Sequence, residues 1–125
     1  MNVNLEEFLR RREDGVAILD VRSVAEYDGR VGPPCDARWG HVPGAVNVPL
    51  DMLLDCVDLD AVRSLVGLEA GVGVIAYCHS GNRSAFAANV LREAGYDAAN
   101  YLGSWHEWSS RDDLPVEAES PGSGS

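Results

Sequence analysis

Two kinds of apolar block recur along the chain: short β-branched runs that barely alternate, and longer stretches with apolar positions three or four residues apart. Val74, Ile75, Ala76 and Tyr77 form a run of the first kind, too short for a helix and expected as a buried strand. Residues 16–21 (Val-Ala-Ile-Leu-Asp-Val) form another, interrupted only by Asp20. A carboxylate at the end of a buried strand needs a partner, and Arg22 is the local candidate. Shorter strands are expected near Val46 and over residues 98–102. Helical spacing appears first from Asn4 to Glu13, with Asn4 and Glu7 as a capping pair and Leu5, Phe8 and Leu9 facing inward. Ser23 and Glu26 form a second capping box, opening a helix that ends by Gly29. Residues 50–54 and 58–66 read as two further short helices, the second started by Asp58 or Asp60. The alanine-rich segment after residue 83 places Asn89, Arg92 and Glu93 on one polar face and stops at Gly95. Gly103 and Ser104 cap a last turn over 105–108. Strands alternating with helices predict an α/β domain with a mainly parallel sheet covered on both faces.

Residues 29–44 break this alternation with a long loop rich in glycine and proline, for which Trp39 offers an apolar anchor. Beyond Pro115 the chain is polar, so the expected organisation is one domain over 1–116 and a disordered tail over 117–125. At 125 residues and 46% hydrophobic composition such a domain can bury a genuine core. The formal charge of −10 argues against nucleic acid or an anionic membrane as partner. The first residues hold no apolar signal core, and no apolar run approaches the ~20 residues that span a bilayer. Three cysteines without paired spacing make no disulfide framework, so a reducing cytoplasm is the expected location. With no C-x-x-C pair and three histidines scattered in sequence, no metal site is expected.

The candidate chemistry lies between the 74–77 strand and the alanine-rich helix, in Cys78-His79-Ser80-Gly81-Asn82-Arg83. Open α/β sheets place their chemistry at the carboxyl ends of strands, where this loop falls. Only a thiolate is a good nucleophile, and an ordinary cysteine, with a pKa of ~8.5, is mostly protonated at neutral pH. A helix N-terminus supplies ~0.3–1 kcal/mol toward ionisation, whereas half-ionisation at neutral pH needs roughly 2 kcal/mol. The remainder is expected from loop amides curled inward by Gly81 and from the permanent charge of Arg83. Cys56, with Leu53, Leu54, Val57 and Leu59 around it in sequence, reads as a small buried hydrophobe, and Cys35 as an incidental thiol in a polar loop.

Cys78-x-x-Gly81-x-Arg83-Ser84 resembles the active-site loop of rhodanese-type sulfurtransferases. Four residues separate the cysteine from the arginine, where phosphatases of related loop architecture have five; the shorter loop suits a single outer sulfur rather than a tetrahedral dianion. The likeness extends to Leu19-Asp20-Val21-Arg22-Ser23 with Glu26-Tyr27, to the segment from Gly40 to Pro49, and to Gly103-Ser104-Trp105-His106-Glu107-Trp108. It implies a rhodanese-like fold with a five-stranded sheet and a thiosulfate-sulfurtransferase type of enzyme, similar to the catalytic half of thiosulfate and mercaptopyruvate sulfurtransferases. Cys78 would be the nucleophile that carries a sulfane sulfur as a persulfide. His79, Ser80, Gly81, Asn82, Arg83 and Ser84 would bind substrate, and Asp20 and Arg22 would support the site. The implied partners are a small-molecule sulfur donor, a thiol or cyanide acceptor and a sulfur-carrier protein; no cofactor is implied. His79 and Ser80 stand where thiosulfate enzymes carry two basic residues, and Glu26 where they carry an arginine, with Arg30 or Arg38 as candidate substitutes. His41 reads as a turn residue. The rival readings are a non-catalytic binding or regulatory module of the same fold, and a phosphatase or arsenate reductase.

Overall fold

A computed structural model of the protein describes residues 1–118. The elements run β1 (Asn2–Val3), α1 (Leu5–Glu13), β2 (Ala17–Asp20), α2 (Val24–Asp28), β3 (Val46–Asn47), α3 (Leu50–Leu54), α4 (Leu59–Val66), β4 (Gly73–Tyr77), α5 (Asn82–Glu93), β5 (Asp97–Tyr101) and α6 (Ser104–Ser109). The five strands pair in the order β1-β5-β4-β2-β3, and every pairing is parallel. The local signals act as their chemistry requires. Asn4 accepts from the Glu7 N–H, Ser23 and Glu26 close a reciprocal capping box, and Asp58, rather than Asp60, caps α4 through the Ala61 N–H. β1 went unread, because two residues are too few to show a period.

Successive residues of the central strands serve opposite faces of the sheet. Leu19, Val74, Ala76 and Ala98 pack with Leu53, Val62, Ala87 and Leu91 from α3, α4 and α5. Ile18, Ile75, Tyr77, Ala99 and Tyr101 pack with Phe8 of α1 and with Trp105 and Trp108 of α6. Phe8 stacks on Tyr101 with ring centroids 4.3 Å apart and meets Trp108 edge-on, so α1 and α6 are locked through aromatic contact. Central β4 thus carries the chain from the core to the carboxyl edge of the sheet, where residue 78 emerges. Among the described residues no helix is long and apolar enough to cross a membrane.

The Asp20–Arg22 partnership holds. Both side chains are shielded from water, joined by Arg22 Nη2 to Asp20 Oδ2 at 2.6 Å and by the Arg22 backbone N–H to Asp20 Oδ1 at 2.9 Å. Arg22 also donates to the Gly40 carbonyl at 2.6 Å and lies over the Trp105 ring at 4.9 Å, fastening the long loop to the sheet. The loop's anchors differ from the expected one. Trp39 is 43% exposed and braces Gly32 and Pro33 from outside, whereas Val42 and His41 are buried. Cys56 is also less buried than expected: Leu54, Val57 and Leu59 are exposed, so the thiol is only partly covered and reaches the Met52 carbonyl at 3.4 Å. Of the tail expected over 117–125, Glu117 pairs with His41 in an antiparallel bridge, and residues 119–125 lie outside the described residues.

Removing one member of a buried pair strands the other's charge. Arg22→Ala is therefore expected to lower unfolding free energy by about 3–5 kcal/mol in urea titrations. Arg30→Ala, which breaks an exposed pair with Asp28, should leave it nearly unchanged.

Candidate active site

Cys78 follows directly on β4 and is 1% exposed. Gly81, at φ 96°, turns the chain so that its N–H donates to Cys78 Sγ at 3.1 Å, and α5 begins at the next residue. An alanine here would face both the left-handed backbone and a Cβ only 2.7 Å from the Leu102 carbonyl oxygen. The Ser84 hydroxyl lies 3.3 Å from Sγ and 2.5 Å from Asn100 Oδ1. It has one proton to give, and ionisation of Cys78 draws that proton toward sulfur. Burial pushes the Cys78 thiol up. The Ser84 hydroxyl and the backbone N–H groups of Ser84, Gly81 and Ser80 outweigh it, so the pKa is lowered overall.

The rest of the loop is braced from β5 and α6. The Cys78 N–H donates to Ser104 Oγ at 3.1 Å, and the Cys78 carbonyl accepts from the Trp105 N–H at 2.8 Å. His79 and His106 are joined by the next backbone bond, at 2.9 Å. Ser104 holds a positive φ of 53°, which turns its hydroxyl between the Cys78 N–H and the Tyr101 carbonyl. Asn100 donates to the Gly81 carbonyl at 3.2 Å, fixing the loop from beneath. Asn100 was missed in the sequence although its signal resembled that of Asp20: a polar residue beside the apolar positions of a strand.

The arginine expected to assist the thiolate is engaged elsewhere. Arg83 forms a two-point pair with Glu26, at 3.1 and 3.3 Å, and is 42% exposed. Burial raises the Glu26 carboxyl, but Arg83 and the Ser23 backbone more than offset this and hold it below the ordinary carboxylate range. The principal donors to sulfur are therefore Ser84 and the loop amides, while Arg83 acts on Cys78 only as a nearby charge. Neither candidate substitute points to sulfur: Arg30 pairs with Asp28, and Arg38 donates to the Trp108, Ser109 and Arg111 carbonyls at the end of α6. His79 Nε2 is turned to the buried Asp36 carboxylate, 2.9 Å away. Ser80 and Asn82 are exposed beside the loop. His41 is buried and stacked on Tyr27 at 3.7 Å, a structural position. Beside Arg83 lies a cleft of about 290 Å³, bordered by Ser23, Leu50 and Leu54.

A parallel sheet that delivers a shielded, hydrogen-bonded cysteine into a strand-to-helix turn defines the class: an α/β domain with a cysteine loop at the carboxyl edge of its sheet. The Rhodanese-like domain profile matches residues 4–111, and the chain belongs to that family. It is 34% identical over 110 residues to a thiosulfate sulfurtransferase of Pseudomonas aeruginosa, covering 82% of this chain and 40% of the relative. It is 36% identical over 119 residues to a 3-mercaptopyruvate sulfurtransferase of Escherichia coli K12, covering 87% of this chain and 42% of that one. Among solved structures, the crystal structure of a "Probable Thiosulfate Sulfurtransferase" superposes with a TM-score of 0.80 at 43% identity, over 92% of this chain and 46% of the other. The chain spans about two fifths of the length of the curated relatives it matches. The expected rhodanese-like fold, with its five-stranded sheet, is the observed one.

The ordering of donors has a direct test in the pH dependence of Cys78 alkylation, followed by peptide mass spectrometry to separate it from Cys35 and Cys56. A lowered pKa places the wild-type midpoint below that of an ordinary thiol. Ser84→Ala is expected to move the midpoint upward, and by more than Arg83→Ala does; the reverse order would restore the arginine to first place.

Proposed function

We propose that this domain is a sulfurtransferase that carries sulfane sulfur on Cys78. The observation supporting this most strongly is the set of N–H and O–H donors from Gly81, Ser84 and Ser80 that converge on Sγ and favour its ionised form. The Cys78 thiolate attacks the sulfane sulfur of a donor such as thiosulfate. A sulfur–sulfur bond to Cys78 forms, the donor's own sulfur–sulfur bond breaks, and sulfite leaves with that electron pair. The terminal persulfide sulfur inherits the negative charge and the amide donors. A thiophilic acceptor, cyanide or a thiol, then attacks that sulfur and returns Cys78 to the thiolate, completing a ping-pong cycle in which the sulfur travels covalently. Gly81 and Ser84 act on the sulfur. Arg83, His79, Ser80 and Asn82 border the entrance, and Asp20 and Arg22 hold the neighbouring loop in place.

Charge shapes the choice of donor. Glu26 neutralises Arg83, and Arg30, Arg38 and His79 are each engaged away from the sulfur, so a dianion such as thiosulfate meets little compensation at the entrance. A low-molecular-weight persulfide or a carrier protein fits this entrance better.

Incubation with thiosulfate should add the mass of one sulfur atom to the wild-type chain and none to Cys78→Ser; equal labelling of both would reject the proposal. Glu26→Gln preserves the capping box and releases Arg83. It is expected to lower KM for thiosulfate several-fold while leaving turnover of an uncharged persulfide donor unchanged.

A further inference from the structure

The long loop between α2 and β3 comes to rest against the residue that follows the nucleophile. A turn closed by the Asp36 N–H on the Pro33 carbonyl, at 3.1 Å, exposes Cys35 and carries Asp36 inward until its carboxylate is fully shielded from water. Oδ1 of Asp36 lies 2.9 Å from His79 Nε2 and 3.1 Å from His106 Nδ1. Its Oδ2 is buried and, among the described residues, meets no hydrogen-bond donor. A buried carboxylate oxygen left in this way costs free energy unless something positive is meant to meet it. One ligand atom from each of Cys35, Asp36, His79 and His106 lies within 4.8 Å of all the others. Two of the three histidines scattered in sequence, His79 and His106, are neighbours in space, against the expectation drawn from their spacing.

We infer that Cys35, Asp36, His79 and His106 form a binding site for a borderline-soft divalent cation, with zinc the best match. One sulfur, two imidazole nitrogens and one carboxylate oxygen are the donor types zinc prefers, whereas magnesium and calcium seek all-oxygen shells. Zinc bonds of roughly 2.0–2.3 Å give a tetrahedron with edges of about 3.3–3.6 Å for one sulfur and three lighter donors, so the ligand atoms, now within 4.8 Å of one another, need to close by about 1.5 Å at most. Cys35 and His106 are exposed and can rotate to do so. On binding, Cys35 loses its thiol proton, and each histidine coordinates through the nitrogen that now faces Asp36, keeping any remaining proton on its other nitrogen. The two negative ligands balance the charge of the ion.

Such an ion would join the loop, the residue after Cys78 and α6, where the backbone bond between His106 and His79 already holds two of the four ligands together. Sγ of Cys78 is not among the ligands. The site is therefore separate from the sulfur-carrying atom, while fastening the segment next to it.

The test uses the full reduced chain, freed of metal and titrated with cobalt(II) and then zinc(II). The expected result is one equivalent per chain, a sulfur-to-cobalt charge-transfer band with the intense visible bands of tetrahedral cobalt, and displacement of both by zinc. Cys35→Ser should abolish the charge-transfer band, and His106→Ala should weaken zinc binding by about tenfold or more. Cys35 is exposed, so circular dichroism and the melting temperature of metal-free Cys35→Ser should match wild type; His106→Ala also gives up a bond to the buried Asp36 carboxylate, so circular dichroism first establishes that this variant is folded. Cys78→Ser should bind as wild type does. Absence of stoichiometric uptake would overturn the inference. So would uptake that survives in Cys35→Ser but disappears in Cys78→Ser, because the ion would then sit on the nucleophile.

Discussion

A sulfur anion sheltered from water needs donors to replace the solvation it has lost, and the fold around Cys78 is arranged to supply them. Gly81 and Ser84 reach Sγ directly: Gly81 is held through its carbonyl by Asn100, and the one hydroxyl proton of Ser84 has Asn100 Oδ1 and Sγ as alternative acceptors. The cysteine backbone is pinned above by Ser104 and Trp105. The loop amides are oriented by the fold itself, so stabilising a thiolate at Cys78 needs little reorganisation. Were Gly81 to carry a side chain, its contact with the Leu102 carbonyl would push the amide out of line, and the whole arrangement would loosen at its tightest point.

Around this centre, charges are compensated in pairs. Asp20 and Arg22 neutralise one another within the core, with the Trp105 ring over the guanidinium, and so join the sheet, the long loop and α6. Glu26 closes the cap of α2 and also takes up Arg83, so the first helix after β2 and the first turn of α5 share one carboxylate. Asp36 draws His79 and His106 together. The consequence is an entrance beside Cys78 that carries little net positive charge.

Much of this was legible beforehand. The β-branched runs, the capping residues and the glycine-punctuated turns are local signals, and they placed four of the five strands, most helix ends and the Cys78 loop within a residue or two of where they lie. A polar residue in an apolar strand was informative as well: Asp20 was recognised as needing a partner and found it two residues away. Asn100 carried the same signal, but its partners come from Ser84, Gly81 and Asn2, distant in sequence, so the signal could not be resolved into a role.

Local periodicity and turn chemistry, readable from neighbours along the chain, determined the α/β alternation, the central strand and the position of Cys78 at its end. Which charges face which was decided only on folding. Arg83 could be foreseen beside the cysteine, but its pairing with Glu26, 57 positions away, depends on how α2 packs against α5. Asp36 gave no hint of its place, because the loop that carries it has no period and is positioned by Arg22, Val42 and His41. Short-range order follows from the backbone and adjacent side chains, whereas electrostatic partnerships follow from distances that only the packed chain defines.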